Sequence, residues 1–446
     1  MARPPPSRAA ATGAATRAAG VAAGAVAAAW AITSVYYFYQ YLMRSAPGVM
    51  LPELTAGFGL GSAALASLLG LFYYAYAPFS LVAGVAMDRL GPKWIVPLGA
   101  ATVAAGALLF ATGDPALGGI GRFMQGAGGV FGLIGAVYLA TNYLPPSRAA
   151  TLIGVTQMVG MAGGAAGQFV VGPLIARGLG WDSFWMAAGL CGFPIALALF
   201  FLMPSPPRAE PEVRQGQGQG QGHGLAAAAR TIGTVFLNPQ SILCGLVAGL
   251  MFLPTTIFDM VWGVRYLQEA HDVPYSMAVL RSASVPFGWI IGCPLLGWAS
   301  DRIGRRKPVI VGAALVLLAA MATMLFGSPA LFPPFLLALV AGIASGAAML
   351  PYTVAKEVNR AEHAGTATGV VNFVNFVLTA LLGPVFAGLL IRASAGGERE
   401  LVHYQQAFAP LILCVGAGAV AALFLRETGP AAAARAPAPR LKPAES

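Results

Sequence analysis

The chain has 446 residues, 57% hydrophobic and only 9% charged, with a mean hydropathy of +0.73. Soluble domains carry about 25% charged residues, so a water-soluble chain of this length could not cover its surface. The net charge of +10 is small for the length, and no basic run alternates with aromatics. A nucleic-acid partner is therefore excluded, and the lipid bilayer is the expected surroundings.

Residues 1–20 are rich in Ala, Arg and Pro, and the first acid is Glu53. That bias is shared with targeting peptides, but the apolar run that follows continues through 36–43, too long for a signal-peptide core. A disordered cytoplasmic tail is the reading preferred. A spanning helix needs about 20 apolar residues. Twelve stretches meet that rule: 24–46, 62–84, 94–112, 116–143, 150–176, 182–203, 240–266, 275–298, 308–327, 331–355, 364–391 and 404–425. The expected organisation is an N-terminal six-helix bundle over 21–203 and a C-terminal one over 233–428. Between them, residues 204–232 hold Pro204-Ser205-Pro206-Pro207 and a Gln-Gly repeat over 215–222, which cannot form a core and read as a cytoplasmic linker. Residues 429–446 read as a second disordered tail.

Lys and Arg set the orientation. With both ends cytoplasmic, 19 of the 26 lie inside, 4 outside (Arg177, Arg265, Arg392, Arg399) and 3 within spans (Arg44, Arg122, Arg281). Inverting the topology reverses that ratio, so both termini are placed in the cytoplasm. The four cysteines (Cys191, Cys244, Cys293, Cys414) fall in apolar runs without C-x-x-C spacing. They read as small buried hydrophobes, not as disulfides or metal ligands.

One motif occurs twice. The first copy is Gly84-Val85-Ala86-Met87-Asp88-Arg89-Leu90-Gly91-Pro92-Lys93, and the second is Gly297-Trp298-Ala299-Ser300-Asp301-Arg302-Ile303-Gly304-Arg305-Arg306. Both follow one apolar run and precede another, 213 residues apart from Gly84 to Gly297. Gly84 and Gly297 permit close backbone approach of a neighbouring helix. Gly91 and Gly304 permit the positive φ of a tight turn. Asp88 and Asp301 can accept hydrogen bonds from a helix N-terminus or pair with a neighbouring Arg. This repeat resembles the loop signature of the major facilitator superfamily, and the whole chain resembles that family. The resemblance implies an all-α integral membrane protein of twelve transmembrane helices in two pseudo-symmetric six-helix bundles. It further implies a secondary transporter with a midplane site and alternating access. On that basis Gly84, Asp88, Arg89, Gly91, Gly297, Asp301, Arg302 and Gly304 are the expected gating residues.

The halves echo each other elsewhere. The fifth stretch carries Gly160, Gly163, Gly164 and Gly167 and ends in Gly172-Pro173; the eleventh carries Gly365 and Gly369 and ends in Gly383-Pro384. This resembles the family's glycine-proline motif at the interface between halves, though ordinary packing explains the glycines as well.

Charges in the hydrocarbon core cost at least about 2.5–3.5 kcal/mol each on insertion scales, so the few present are the best functional candidates. Arg44 closes the aromatic run that starts at Tyr36-Tyr37 and lies eight residues before Pro52. This resembles the first helix of the organophosphate antiporters and organic-anion symporters, where such an Arg binds the substrate's anionic group. Tyr37, Tyr41 and Arg44 share a helical face, with Gln40 in the same run; snorkelling of Arg44 to the headgroups is the competing reading. The antiporters' second Arg would fall near Thr256 and is absent. One cation suits a carboxylate or zwitterion better than a phosphate ester.

Asp259, with Thr255, Thr256 and Trp262 nearby, is the one acid deep in a span, and Trp262 is expected to line the substrate site. A desolvated carboxylate is disfavoured in its charged form, so Asp259 is the candidate proton carrier; a structural Asp bonded to a neighbouring helix is the alternative. The symporters' other acids are replaced here by Met43 and Gly129. Arg122, Gln125 and Gly126 resemble the family's fourth-helix motif, linked to proton coupling, although a packing Arg bonding first-helix carbonyls accounts for Arg122 equally well. Arg281 is placed near the outer interface. Gln157, Tyr352, Asn372 and Asn375 are polar neutrals that could line a cavity or simply bond between helices. No ATP-binding loop, metal-ligand set or Ser/His/Asp set is present, and the four His are placed in loops, so no catalytic residue and no cofactor is assigned.

The expectation is a monomeric, multi-pass transporter of a bacterial inner membrane. It would move a small anionic or zwitterionic molecule with a proton as partner ion. Alternatives are a dipeptide or amino-acid transporter of the same fold and, from another class, a non-transporting membrane sensor or scaffold.

Overall fold

The computed structural model describes residues 8–205, 225–327, 334–395, 397–429 and 431. Twelve membrane-spanning segments follow one another. The first six are α1 (Arg8–Ser45), α2 (Ser62–Leu90), α3 (Pro92–Ala111), α4 (Pro115–Asn142), α5 (Ala149–Phe169, continued by Val171–Ala176) and α6 (Trp181–Leu202). The second six begin with α7, which runs as Pro239–Leu253, Pro254–Gly263 and Val264–His271. Then come α8 (Tyr275–Ser282 and Ser284–Ile303), α9 (Lys307–Phe326) and α10 (Pro334–Ser345, a tighter turn Gly346–Met349, and Leu350–Glu357). α11 (Ala364–Ala393) and α12 (Leu401–Leu423) close the bundle.

Ten helices among the described residues are long and apolar enough to cross a membrane by length and composition; α1 and α8 complete the twelve. Tyrosines, Gln40 and Arg44 dilute the apolar character of α1, and Trp, Gly and Pro that of α8. Large side chains such as Leu98, Leu197, Phe201 and Leu413 stand exposed around the bundle. That is the surface a hydrocarbon solvent requires, while the helical backbone satisfies its own hydrogen bonds.

Several boundaries differ from the sequence reading. α1 starts at Arg8, so most of the expected N-terminal tail continues the helix, as its alanine content favours. Residues 225–232 of the expected linker are helical, opening Leu225–Phe236; the Gln-Gly repeat lies outside the described residues. The motif is less of a loop than expected: Asp88 and Asp301 sit in the last turns of α2 and α8, and only Gly91 and Gly304 break the helix. Cys244 and Cys293 are buried, but Cys191 is exposed and Cys414 half-buried, because their helices face outward there. His271 ends a helix and bonds Tyr266, and His403 lies in the first turn of α12, so neither is a loop residue.

The halves meet along two diagonals, α2 against α11 and α8 against α5. The motif glycines make both approaches possible. A Cβ on Gly84 would strike the Gly365 and Thr366 backbone, and one on Gly297 the Ala150 and Thr151 backbone. The glycine stripe of α5 does not serve that seam: Gly160, Gly163 and Gly167 pack on Tyr37, Phe38 and Ser45 of α1, within the same half.

Candidate functional site

Arg44 lies in the last turn of α1, before the turn Ala46–Val49 breaks the helix. Its residue is 8% exposed, and the guanidinium points into the protein. The rings of Tyr41, Tyr73 and Phe376 lie 5.1, 5.0 and 5.0 Å from its central carbon, and Tyr76 lies 6.0 Å away. Nε donates to Tyr73 Oη at 3.2 Å, while buried Nη1 has no partner. No carboxylate pairs with Arg44 among the described residues. Phe376 belongs to α11, so this cage already joins both halves.

Beside it is a central cavity lined by α1, α5, α10 and α11, closed by Phe252, Trp289 and Phe376. Six of the expected polar residues meet there: Tyr37, Tyr41, Gln157, Tyr352, Asn372 and Asn375. On the N-terminal side Tyr37 donates to Gln157 Oε1 at 3.0 Å, and Gln157 Nε2 donates to Tyr41 Oη at 3.3 Å. On the other side Tyr352 donates to Asn372 Oδ1 at 3.1 Å, and Asn375 Nδ2 donates to Tyr352 Oη at 3.4 Å. Asn372 Nδ2 crosses the seam to Ser80 Oγ at 2.8 Å. Asn375 Oδ1 is left without a partner.

Two expected residues stand apart. Gln40 is wholly buried against Gly129 of α4, with both side-chain polar atoms unpartnered. Trp262 lies near the far end of α7, facing Arg399 and Arg265 at 5.4 and 5.9 Å.

Asp259 lies in the middle section of α7, Pro254–Gly263, which is wound as a π-helix. Pro254 lacks the N–H of a regular turn, and such wide turns gather at functional positions. Asp259 Oδ1 accepts from Ser282 Oγ of α8 at 3.0 Å. The residue borders two cavities. One lies between the halves and includes Tyr41, Met161 and Thr255; the other lies within the second half and includes Tyr266, His271 and Arg281. Tyr41 therefore links Arg44, the central cavity and the cavity at Asp259.

Arg122 is buried in α4, and its Nε has no partner among the described residues. Nη1 donates to Met43 O in α1 at 3.2 Å and to Gln125 Oε1 at 2.7 Å, under the rings of Phe72, Phe110 and Trp185.

The motif residues gather where the basic loops lie, on what we call the basic face. Asp88 accepts from Gly365 N at 2.6 Å, Thr366 N at 2.7 Å and Thr366 Oγ1 at 2.6 Å, capping the start of α11. Asp301 accepts from Thr151 N at 2.9 Å and Thr151 Oγ1 at 2.8 Å, capping the start of α5. An anion at a helix N-terminus meets unpaired N–H groups and the positive end of the dipole. Gly91 and Gly304 have φ of +72° and +71°. Arg89 and Arg302 are exposed; Arg302 lies against Trp298. The Arg44 cage residues Tyr73, Tyr76 and Phe376 were not foreseen, although Tyr73 and Tyr76 stand three apart on one helix.

The Major Facilitator Superfamily family model matches residues 33–384. The membrane sensor protein UhpC of Salmonella typhimurium is 25% identical over 87% of this chain and 89% of its own length. The probable sulfoacetate transporter SauU of Cupriavidus necator is 25% identical over 87% of this chain and 91% of its own. Among solved structures, the proton:xylose symporter XylE superposes with a TM-score of 0.70 at 15% identity, covering 91% of this chain and 97% of that one. With the family matched over most of its length and the twelve-helix fold in place, the chain belongs to the Major Facilitator Superfamily.

Proposed function

We propose that the chain carries a small organic anion or zwitterion across the membrane by alternating access, with a proton as coupling ion. The observation that supports this best is Arg44. A buried cation with a free Nη1 and no counter-ion among the described residues, beside a cavity with polar lining, calls for an anion from elsewhere. A guanidinium can hold a carboxylate or sulfonate through two hydrogen bonds. The sulfoacetate transporter among the relatives favours the same class. Tyr37, Tyr41, Gln157, Tyr352, Asn372 and Asn375 would complete the substrate site. Asp259 would carry the proton, since it lines the cavity between the halves that Tyr41 of the Arg44 cage also lines. The basic face would be cytoplasmic by the positive-inside rule, the membrane a bacterial inner membrane and the unit a monomer. Asp88 and Asp301 would hold that face closed.

The test uses purified protein in liposomes, with ligands chosen by a thermal-shift screen over small carboxylates, sugar acids, dipeptides and phosphate esters. Arg44→Ala should weaken binding by about 10- to 100-fold, the range for a lost charged hydrogen-bond pair, and Arg44→Lys should weaken it less. Unchanged binding in Arg44→Ala would end the anion-site reading. Asp259→Asn should abolish proton-driven accumulation, flatten the pH dependence of uptake and spare substrate counterflow. A second reading, a membrane sensor, is favoured by the relative UhpC; ligand binding with no uptake at all by the parent protein would establish it. Selection of dipeptides in the screen would instead point to a peptide or amino-acid carrier.

A further inference from the structure

Two neighbouring residues end α10 and face different ways. Glu357 turns into its own half and pairs with Arg306 at 3.0 Å. Lys356 turns across the seam. Its Nζ donates to Val137 O at 3.0 Å and to Thr141 Oγ1 at 2.5 Å, both in α4 of the first half. Lys356 is 8% exposed, and no carboxylate lies within ion-pair distance of it among the described residues.

A buried ammonium is costly unless its protons are taken up. Here the acceptors are at the end of a helix that stops at Asn142, where the dipole is negative. Thr141 Oγ1 also donates to Val137 O at 2.9 Å, so the two acceptors form one fixed cradle. The cation therefore sits on the negative end of α4, held from the opposite half.

We propose that Lys356 is a gating residue, a cationic latch by which the second half grips the end of α4 and keeps the basic face shut. The proposal rests on the alternating-access reading. Opening the basic face parts α4 from α10, so both hydrogen bonds break and water takes the ammonium. The latch thus biases the equilibrium toward the closed form without forbidding the open one.

The test reads the separation of the halves by electron-electron spin distances in the full-length chain. Its four cysteines are replaced, and nitroxides are placed at Arg148→Cys and Arg360→Cys, both exposed and in different halves. Lys356→Met should shift the closed-to-open ratio roughly tenfold toward the longer distance. Lys356→Arg should keep most of the short distance, a rescue that filling space alone would not produce. Thr141→Val, which removes one acceptor and preserves shape, should shift the ratio in the same direction by less. Asp88→Asn serves as the control for the gate itself. If Asp88→Asn opens the face and Lys356→Met does not, the latch is wrong and the gate stands. If neither variant opens it, both ideas fall. Should Lys356→Met not fold, Thr141→Val decides, and an unchanged distance distribution in it overturns the latch.

Discussion

In the first half, Asp88 directs both oxygens across the seam and takes three hydrogen bonds from the start of α11. Lys93, the last residue of that motif copy, turns away and donates to Phe200 O in α6 at 3.0 Å. In the second half, Asp301 also reaches across, but with one oxygen, to Thr151 of α5. Its other oxygen pairs with Arg306 at 2.5 Å. Arg306, the counterpart of Lys93, has a wholly buried side chain and pairs in turn with Glu357. Glu427 accepts from Arg306 N at 2.8 Å and Lys307 N at 3.3 Å.

One sequence pattern is therefore wired in two ways. The first carboxylate devotes its capacity to the opposite half, so its removal should act on the equilibrium between closed and open forms. The second is shared between the opposite half and an ion-pair network at home, so its removal should act on the stability of the fold as well. Lys and Arg at the matching position explain the split. The planar guanidinium serves two carboxylates at once, which a lysine ammonium on a flexible stem does less well.

The largest expected effect follows from that network. Arg306→Met leaves Asp301 and Glu357 without their shared cation. Removing one partner of a buried pair costs about 3–5 kcal/mol, here toward the low end because Glu357 is part-exposed. Lys93→Met should stay within about 0.5 kcal/mol, as for an exposed contact. Thermal unfolding in detergent, followed by tryptophan fluorescence, measures both. Equal losses would erase the distinction between the copies.

Next in size are the two aspartates compared directly. Asp88→Asn should slow turnover by about tenfold, on the scale of a weakened charged hydrogen bond, with substrate affinity and melting temperature nearly unchanged. Asp301→Asn should lower the melting temperature and slow turnover less. A collapse of affinity in Asp88→Asn, with turnover held, would remove the gating role from the first copy.

The readable part of this molecule was what a local pattern can carry. Apolar runs of spanning length located the helices, and the spacing from Gly84 to Asp88 to Gly91 announced a close approach, a cap and a turn. Tyr37, Tyr41, Gln157, Asn372 and Asn375 could be picked out because a polar group in an apolar helix needs a reason. The cage around Arg44 could not, since Tyr73, Tyr76 and Phe376 look like ordinary lipid-facing aromatics until α2 and α11 are brought together. Trp262 falls outside the central cavity for a geometric reason: it lies within the π-helical section Pro254–Gly263, where a regular helical period does not hold. Lys356 was hidden in plain view, because a cation at the end of a spanning stretch reads as a loop charge, and only the seam between α10 and α4 gives it another partner.

The smallest effect concerns the two motif glycines. Their φ values nearly coincide, but ψ separates them: Gly91 sits at φ 72°, ψ 179°, and Gly304 at φ 71°, ψ 16°. The second is the left-handed helical well, which Asn enters readily. The first belongs to a region open essentially to glycine alone, where another residue costs about 1–3 kcal/mol. Gly304→Asn must still displace Ala431, whose N–H donates to Gly304 O at 3.1 Å, but that neighbour follows the end of the last helix and can shift. Gly91 stands between α2 and α3 with Pro92 immediately after it, so neither flank can relax. Gly91→Asn should therefore destabilise the fold by about 1 kcal/mol more than Gly304→Asn, read from the same unfolding curves. The reverse order would mean that contacts, not backbone conformation, set the two glycines.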